Sequence, residues 1–184
     1  MVNKERRSFL RFAIHSLGAL FGVVLGILAA CYLIDSRNRP APQRGFRPVR
    51  GVRLDDLRKD VPEQGVIRDI RHDAWTLHPN DVIGRVWVVK TGADDASIRV
   101  LTTICPHLGC FVNANPPSSG PGFTCPCHSG KFNIDGSLNL AAGRNPAPRG
   151  MDTLEWQRDP ADRNLLLVKY QNFMQGEREP VLKT

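Results

Sequence analysis

Two short boxes hold four of the five cysteines of this 184-residue chain: Cys105-Pro106-His107-Leu108-Gly109-Cys110 and Cys125-Pro126-Cys127-His128-Ser129-Gly130. Each offers a thiolate and an imidazole at ligand spacing, with one further cysteine. Two cysteines and two histidines can hold a [2Fe–2S] cluster, the thiolates on one iron and the imidazoles on the other. Such a centre carries one electron at a higher potential than an all-cysteine ferredoxin. The competing chemistry is structural zinc, which also accepts two Cys and two His. Zinc pairs usually run C-x₂₋₄-C and H-x₃₋₅-H, whereas each box here mixes one Cys with one His. A closed four-ligand zinc site would also leave two cysteines without a role. The pattern favours iron.

The order C-x-H-x-G-C followed by C-x-C-H resembles the Rieske iron–sulfur protein family. The likeness covers both boxes and the segment between them, and more weakly Pro146-Ala147-Pro148. It implies one [2Fe–2S] cluster with Cys105 and Cys125 on the buried iron and His107 and His128 on the outer iron. It also implies a Cys110–Cys127 disulfide, as in members from quinol-oxidising complexes. Its fold would be mainly β, an antiparallel-sheet head with a small cluster-binding subdomain at about 101–143. The function implied is that of an electron-transfer subunit of a quinol–cytochrome c oxidoreductase, an enzyme as part of that complex. His128 would accept the quinol hydrogen bond and proton. The partners would be quinol, a cytochrome b-type subunit and a c-type cytochrome. The alternative is the small subunit of a periplasmic oxidase such as arsenite oxidase.

High-potential members of the family continue the second box as C-P-C-H-G-S-x-Y, where the Ser and Tyr hydroxyls donate to cluster sulfurs. This chain has Gly130 and Phe132 at those positions, and Ser129 stands one residue out of register. Hydrogen bonds to the sulfurs help set the potential. Without them the reduced, more negative cluster is disfavoured. A low potential matches a low-potential quinol such as menaquinol.

The elements that must position these boxes begin with an apolar N-terminus. Glu-Arg-Arg-Ser-Phe-Leu-Arg at 5–11 resembles the twin-arginine export motif at Arg6, Arg7, Phe9 and Leu10. Residues 13–34 are apolar apart from His15 and Ser16. As a helix they span about 33 Å, enough to cross a bilayer. His15 falls in the first turn, where it reaches the interface. Gly18, Gly22 and Gly26 share one face that another membrane helix can approach. Leu28-Ala29-Ala30-Cys31 also matches a lipoprotein processing box, but the apolar run continues past Cys31, which favours an intact anchor. Residues 35–60, with Pro40, Pro42 and Pro48, read as a tether without regular structure. The net charge of +7 is concentrated in residues 1–53, which hold ten basic and two acidic residues. That distribution fits flanks of a membrane anchor rather than a nucleic-acid partner. The expected location is the bacterial cytoplasmic membrane, N-terminus cytoplasmic and head outside, where a disulfide persists.

The head, expected over 61–184, is loop-rich and β. Val66–Ile70, Val82–Lys90, Ile98–Ile104 and Leu165–Tyr170 read as strands, with Thr153–Trp156 as a further strand. Turn residues stand at 92–95 and at Asp135-Gly136. Asn113–Gly122, rich in Pro and Gly, lets the chain return so that the boxes can face each other. Gly143–Pro148 resembles the family's proline loop over the cluster. His72 and His78 read as surface histidines.

Overall fold

The computed structural model describes residues 4–38, 45–72 and 76–183. They fall into two units, Met1–Gln43 and Arg44–Thr184. The first contains α1, Lys4–Asn38. It outruns the apolar stretch at both ends because residues 4–12 contain neither proline nor glycine to stop it. None of its apolar window is buried. It is long and apolar enough to cross a membrane, and apolar all round, as a lipid-facing helix must be. The helix runs unbroken through Cys31. The His15 imidazole Nδ1 donates to the Arg11 carbonyl at 2.6 Å.

The second unit is mainly β. Its strands are β1 Phe46–Arg50, β2 Glu63–His72, β3 Leu77–Lys90, β4 Ile98–Thr102, β5 Asn113–Ala114, β6 Phe123–Cys125, β7 Gly130–Phe132, β8 Trp156–Arg158 and β9 Leu166–Lys169. A six-stranded antiparallel sheet has the order β4-β3-β2-β1-β9-β8, and a three-stranded one the order β5-β6-β7. The strands expected from the apolar runs lie within or across β2, β3, β4 and β9. The strand expected at Thr153–Trp156 forms one turn later. Asp135-Gly136 turns as expected, with Gly136 at φ +87°.

The head begins earlier than the tether expected over 35–60 allows. β1 lies inside that segment, and Val49, Val52, Leu54 and Leu57 are all buried. Pro48 is tolerated because β1 changes partner there. Phe46 to Pro48 pair with β9, and Val49 and Arg50 pair with β2. Val49 packs so close to Gly65 that a Cβ at Gly65 would lie 2.1 Å from the valine methyl. Pro40 and Pro42 lie outside the described residues.

β3 and β4 separate two cores, and strand alternation sorts their side chains. Val86 and Val88 of β3, with Ile98 and Val100 of β4, join Val49, Ile67, Leu154, Leu166 and Val168 on one face. Val89 and Leu101 point to the other, where they meet Val112, Phe123, Phe132, Ala147 and Met151 with Cys105 and Cys125. This second core therefore reaches past the limit of about 143 expected for the cluster subdomain. Trp87 fastens the two regions: its indole N–H donates to the Val112 carbonyl at 2.9 Å, and its ring packs 5.8 Å from that of Phe123.

Candidate metal centre

The first box is a loop that closes on itself. Cys105 N–H donates to the Cys110 carbonyl at 2.7 Å, and Gly109 N–H returns to the Cys105 carbonyl at 2.9 Å. Gly109 adopts φ +83° to make that turn. A bridge between Ile104 and Phe111 shuts the base of the loop. The second box is the turn of the β6–β7 hairpin, in which Cys125 pairs with Gly130. Ser129 completes the turn at φ +56°, a left-handed conformation unusual for a residue with a side chain.

Between the two loops, the sequence-selected residues come together in two layers. Cys105 and Cys125 are 1% and 2% exposed, at the floor. His107 is half-buried and His128 exposed. Their rings meet edge to face with centroids 4.8 Å apart. Cys110 and Cys127 form a disulfide with an S–S distance of 2.09 Å, and their sulfurs lie within 4.8 Å of Cys125 Sγ. Joined to each other, those two sulfurs are not thiolates, so the donors that remain are two buried thiols and two outward imidazoles. This set fits a cluster with sulfur ligands on one iron and nitrogen ligands on the other.

Burial pushes the Cys105 thiol up to about 11, with the Cys125 thiol beside it opposing ionisation further. Metal binding must therefore release a proton from this site. Against the burial, the backbone amides of His107 and Leu108 favour the Cys105 thiolate. These amides are not visible in side-chain identities. Gly130 and Phe132 occupy the positions of the family's tuning hydroxyls. Gly130 is buried beside Cys125, Phe132 is 1% exposed, and Ser129 faces solvent.

The proline loop packs against the second box. Asn145 Nδ2 donates to the Lys131 carbonyl at 2.5 Å, its Oδ1 accepts from Ala147 N–H at 3.1 Å, and Ala147 is buried in the second core. Residues the sequence did not single out support the first box. Gly176 N–H donates to the Pro106 carbonyl at 2.8 Å. Cys31 lies on α1, and His78 lies on β3, half-buried. The His72 side chain lies outside the described residues.

A two-layered Cys/His site in disulfide-pinned loops over a β head defines a class of iron–sulfur protein. The Rieske [2Fe-2S] domain matches residues 64–155. The chain belongs to this family, and its cofactor is a Rieske [2Fe–2S] cluster. Among its relatives is the menaquinol:cytochrome c reductase iron-sulfur subunit of Bacillus subtilis, 29% identical over 134 residues, which are 72% of this chain and 75% of that protein. The cytochrome b6-f complex iron-sulfur subunit of Chlorobaculum tepidum is 27% identical over 148 residues, 80% of this chain and 68% of that protein. A crystal structure of a plasma membrane Rieske protein from Synechocystis aligns at 31% identity with a TM-score of 0.37, over 51% of this chain and 85% of that one.

Proposed function

We propose that this protein is the electron-transfer subunit of a quinol:cytochrome c oxidoreductase, with menaquinol as the quinol. The observation that carries this reading is the exposed His128 ring against the half-buried His107, above two buried thiols. Cys105 and Cys125 hold the inner iron, and His107 and His128 the outer one. When bound, the cluster supplies a one-electron acceptor. His128 binds iron through one ring nitrogen and uses the other to accept the quinol hydrogen bond and then its proton. The buried floor around Cys105 and Cys125 keeps water from the inner ligands. The absent hydroxyls at Gly130 and Phe132 lower the potential towards that of menaquinol. The names of the relatives from Bacillus subtilis and Chlorobaculum tepidum support this class over an oxidase small subunit.

The anchor is α1, with its N-terminus cytoplasmic and the head on the outer side, reached through the twin-arginine route at Arg6-Arg7. The segment joining α1 to β1 serves as the tether, and the head passes electrons from quinol at a cytochrome b-type subunit to a c-type cytochrome. Purification of the native complex tests the assignment: b-type haem should copurify, and molybdenum in its place would identify the oxidase alternative. In that complex His128→Ala should abolish the Rieske-type paramagnetic signal and quinol oxidation together. A retained signal would refute the ligand role. In wild type the midpoint should fall as pH rises, because the reduced centre holds the imidazole proton more tightly. Arg6→Lys with Arg7→Lys should leave folded, cluster-loaded protein in the cytoplasm.

A further inference from the structure

The proline loop and the hairpin turn act on the second box, and the disulfide ties the two boxes together at Cys110 and Cys127. The C-terminal segment is a further support, and it acts on the first box. It folds back on itself through Met174 N–H to the Val181 carbonyl at 2.7 Å and Lys183 N–H to the Asn172 carbonyl at 2.8 Å. Phe173 packs at the edge of the main core. At the tip of this fold, Gly176 N–H donates to the carbonyl of Pro106, the residue before His107, at 2.8 Å. The Gln175 side chain covers Gly109, 3.6 Å from where a Cβ would stand. Lys183 Nζ donates to Gln175 Oε1 at 2.9 Å, and Gln175 Nε2 donates to the Phe173 carbonyl at 2.8 Å.

One buried side chain ties this fold to the rest of the head. Arg149 follows the proline loop directly, and its side chain is 9% exposed. Its guanidinium grips Asp152, itself 6% exposed, through two bonds of 2.8 Å. The remaining donors reach the Glu177 carbonyl at 2.6 Å and the Met174 carbonyl at 2.9 Å, on either side of Gly176. The planar fork suits this four-way contact, which an ammonium cannot reproduce. The Asp152 carbonyl accepts from Thr102 N–H at 2.8 Å, at the end of β4.

We infer that Arg149 is a positioning residue and that segment 172–183 is a strap which it holds across the first box, fixing Pro106 and hence the placement of His107. The strap claim stands on the fold alone. Only its spectroscopic consequence rests on His107 being an iron ligand.

Cluster-loaded full-length protein in detergent, wild type and a variant lacking residues 174–184, should be compared by amide hydrogen exchange and by the paramagnetic spectrum of the reduced cluster. Truncation leaves the Arg149–Asp152 pair and Phe173 in place. Exchange at 105–110 should rise about tenfold, the effect of one lost backbone hydrogen bond, while 125–130 changes less than about twofold. The spectrum should broaden or shift, and iron should pass faster to a ferrous chelator. Arg149→Lys keeps a charge beside Asp152 but loses the carbonyl contacts. It should reproduce the same local exchange in a chain that still folds, with the far-UV β signal of the main sheet retained, which covers the case in which the truncated chain does not fold. Unchanged exchange at 105–110 would overturn the inference, as would equal rises in both boxes. Raised exchange with an unchanged spectrum would overturn the claim that the strap places His107.

Discussion

The two faces of β3 and β4 carry cores of opposite construction. The main core is Val, Ile and Leu from β1, β2, β3, β4 and β9 of the six-stranded sheet and from the loops beside them. The cluster core rests on β5, β6 and β7, of two or three residues each, too short to be stable as a sheet alone. It is closed instead by two phenylalanines, a disulfide, the Trp87 and Arg149 contacts and the metal. The main core can form from burial alone. The cluster core depends on covalent and coordinate bonds, as small subdomains generally do.

The largest expected effect separates the two directly. Phe123→Ala should cost about 3–5 kcal/mol and should bleach the cluster's visible absorption at a denaturant concentration where far-UV β signal persists. Val88→Ala in the main core should cost about 1.5–3 kcal/mol and shift both probes together. If both variants move both probes together, the cores are one cooperative unit and the contrast fails.

Removing the bridge with Cys110→Ser and Cys127→Ser should cost about 3 kcal/mol, read as earlier bleaching with little change in the main-sheet transition. A smaller effect appears as potential. A Cβ at Gly130 would sit 3.5–3.7 Å from its neighbours, Cys125 Cβ among them. Gly130 is also absent from the left-handed residues, so serine fits there. Gly130→Ser with Phe132→Tyr should raise the midpoint by up to about 100 mV per hydroxyl, from about 1.5–3 kcal/mol for a charge-assisted bond at about 59 mV per about 1.4 kcal/mol. Voltammetry showing no shift would mean that Ser129 or another donor fills the role, and the menaquinol argument would fail. Ser129→Gly should stabilise by about 0.5–1 kcal/mol, the left-handed strain less the entropy of glycine.

The smallest effect is acidic. The Ser137 hydroxyl, then its N–H, hold the Asp135 carboxyl below the usual carboxylate range. A depressed value contributes stability above the ordinary aspartate pKa of about 3.9 and loses it as pH falls through the lower folded value. Asp135→Asn should remove that slope from urea midpoints measured below about pH 4.

The metal centre was legible because its chemistry is written in side chains: the Rieske domain match spans both boxes, and Cys110 finds Cys127. The main strands were legible through apolar alternation. β1 was not, since Phe46-Arg47-Pro48-Val49-Arg50 carries two charges and a proline, and its burial comes from partners distant in sequence. The supports of the first box escaped for a related reason. Gly176 to Pro106 is a backbone contact, the His107 and Leu108 amides have no residue-type signature, and Arg149 looks like any surface arginine until the chain folds around it.

The place where β1 enters the sheet has a mechanical consequence. β1, the first strand of the head, is zipped to β9 along Phe46–Pro48 and to β2 along Val49–Arg50. Tension along that strand loads those bonds in shear, several at once, instead of peeling them singly from an edge. The head can thus bear a pull at its N-terminal end without unravelling from there.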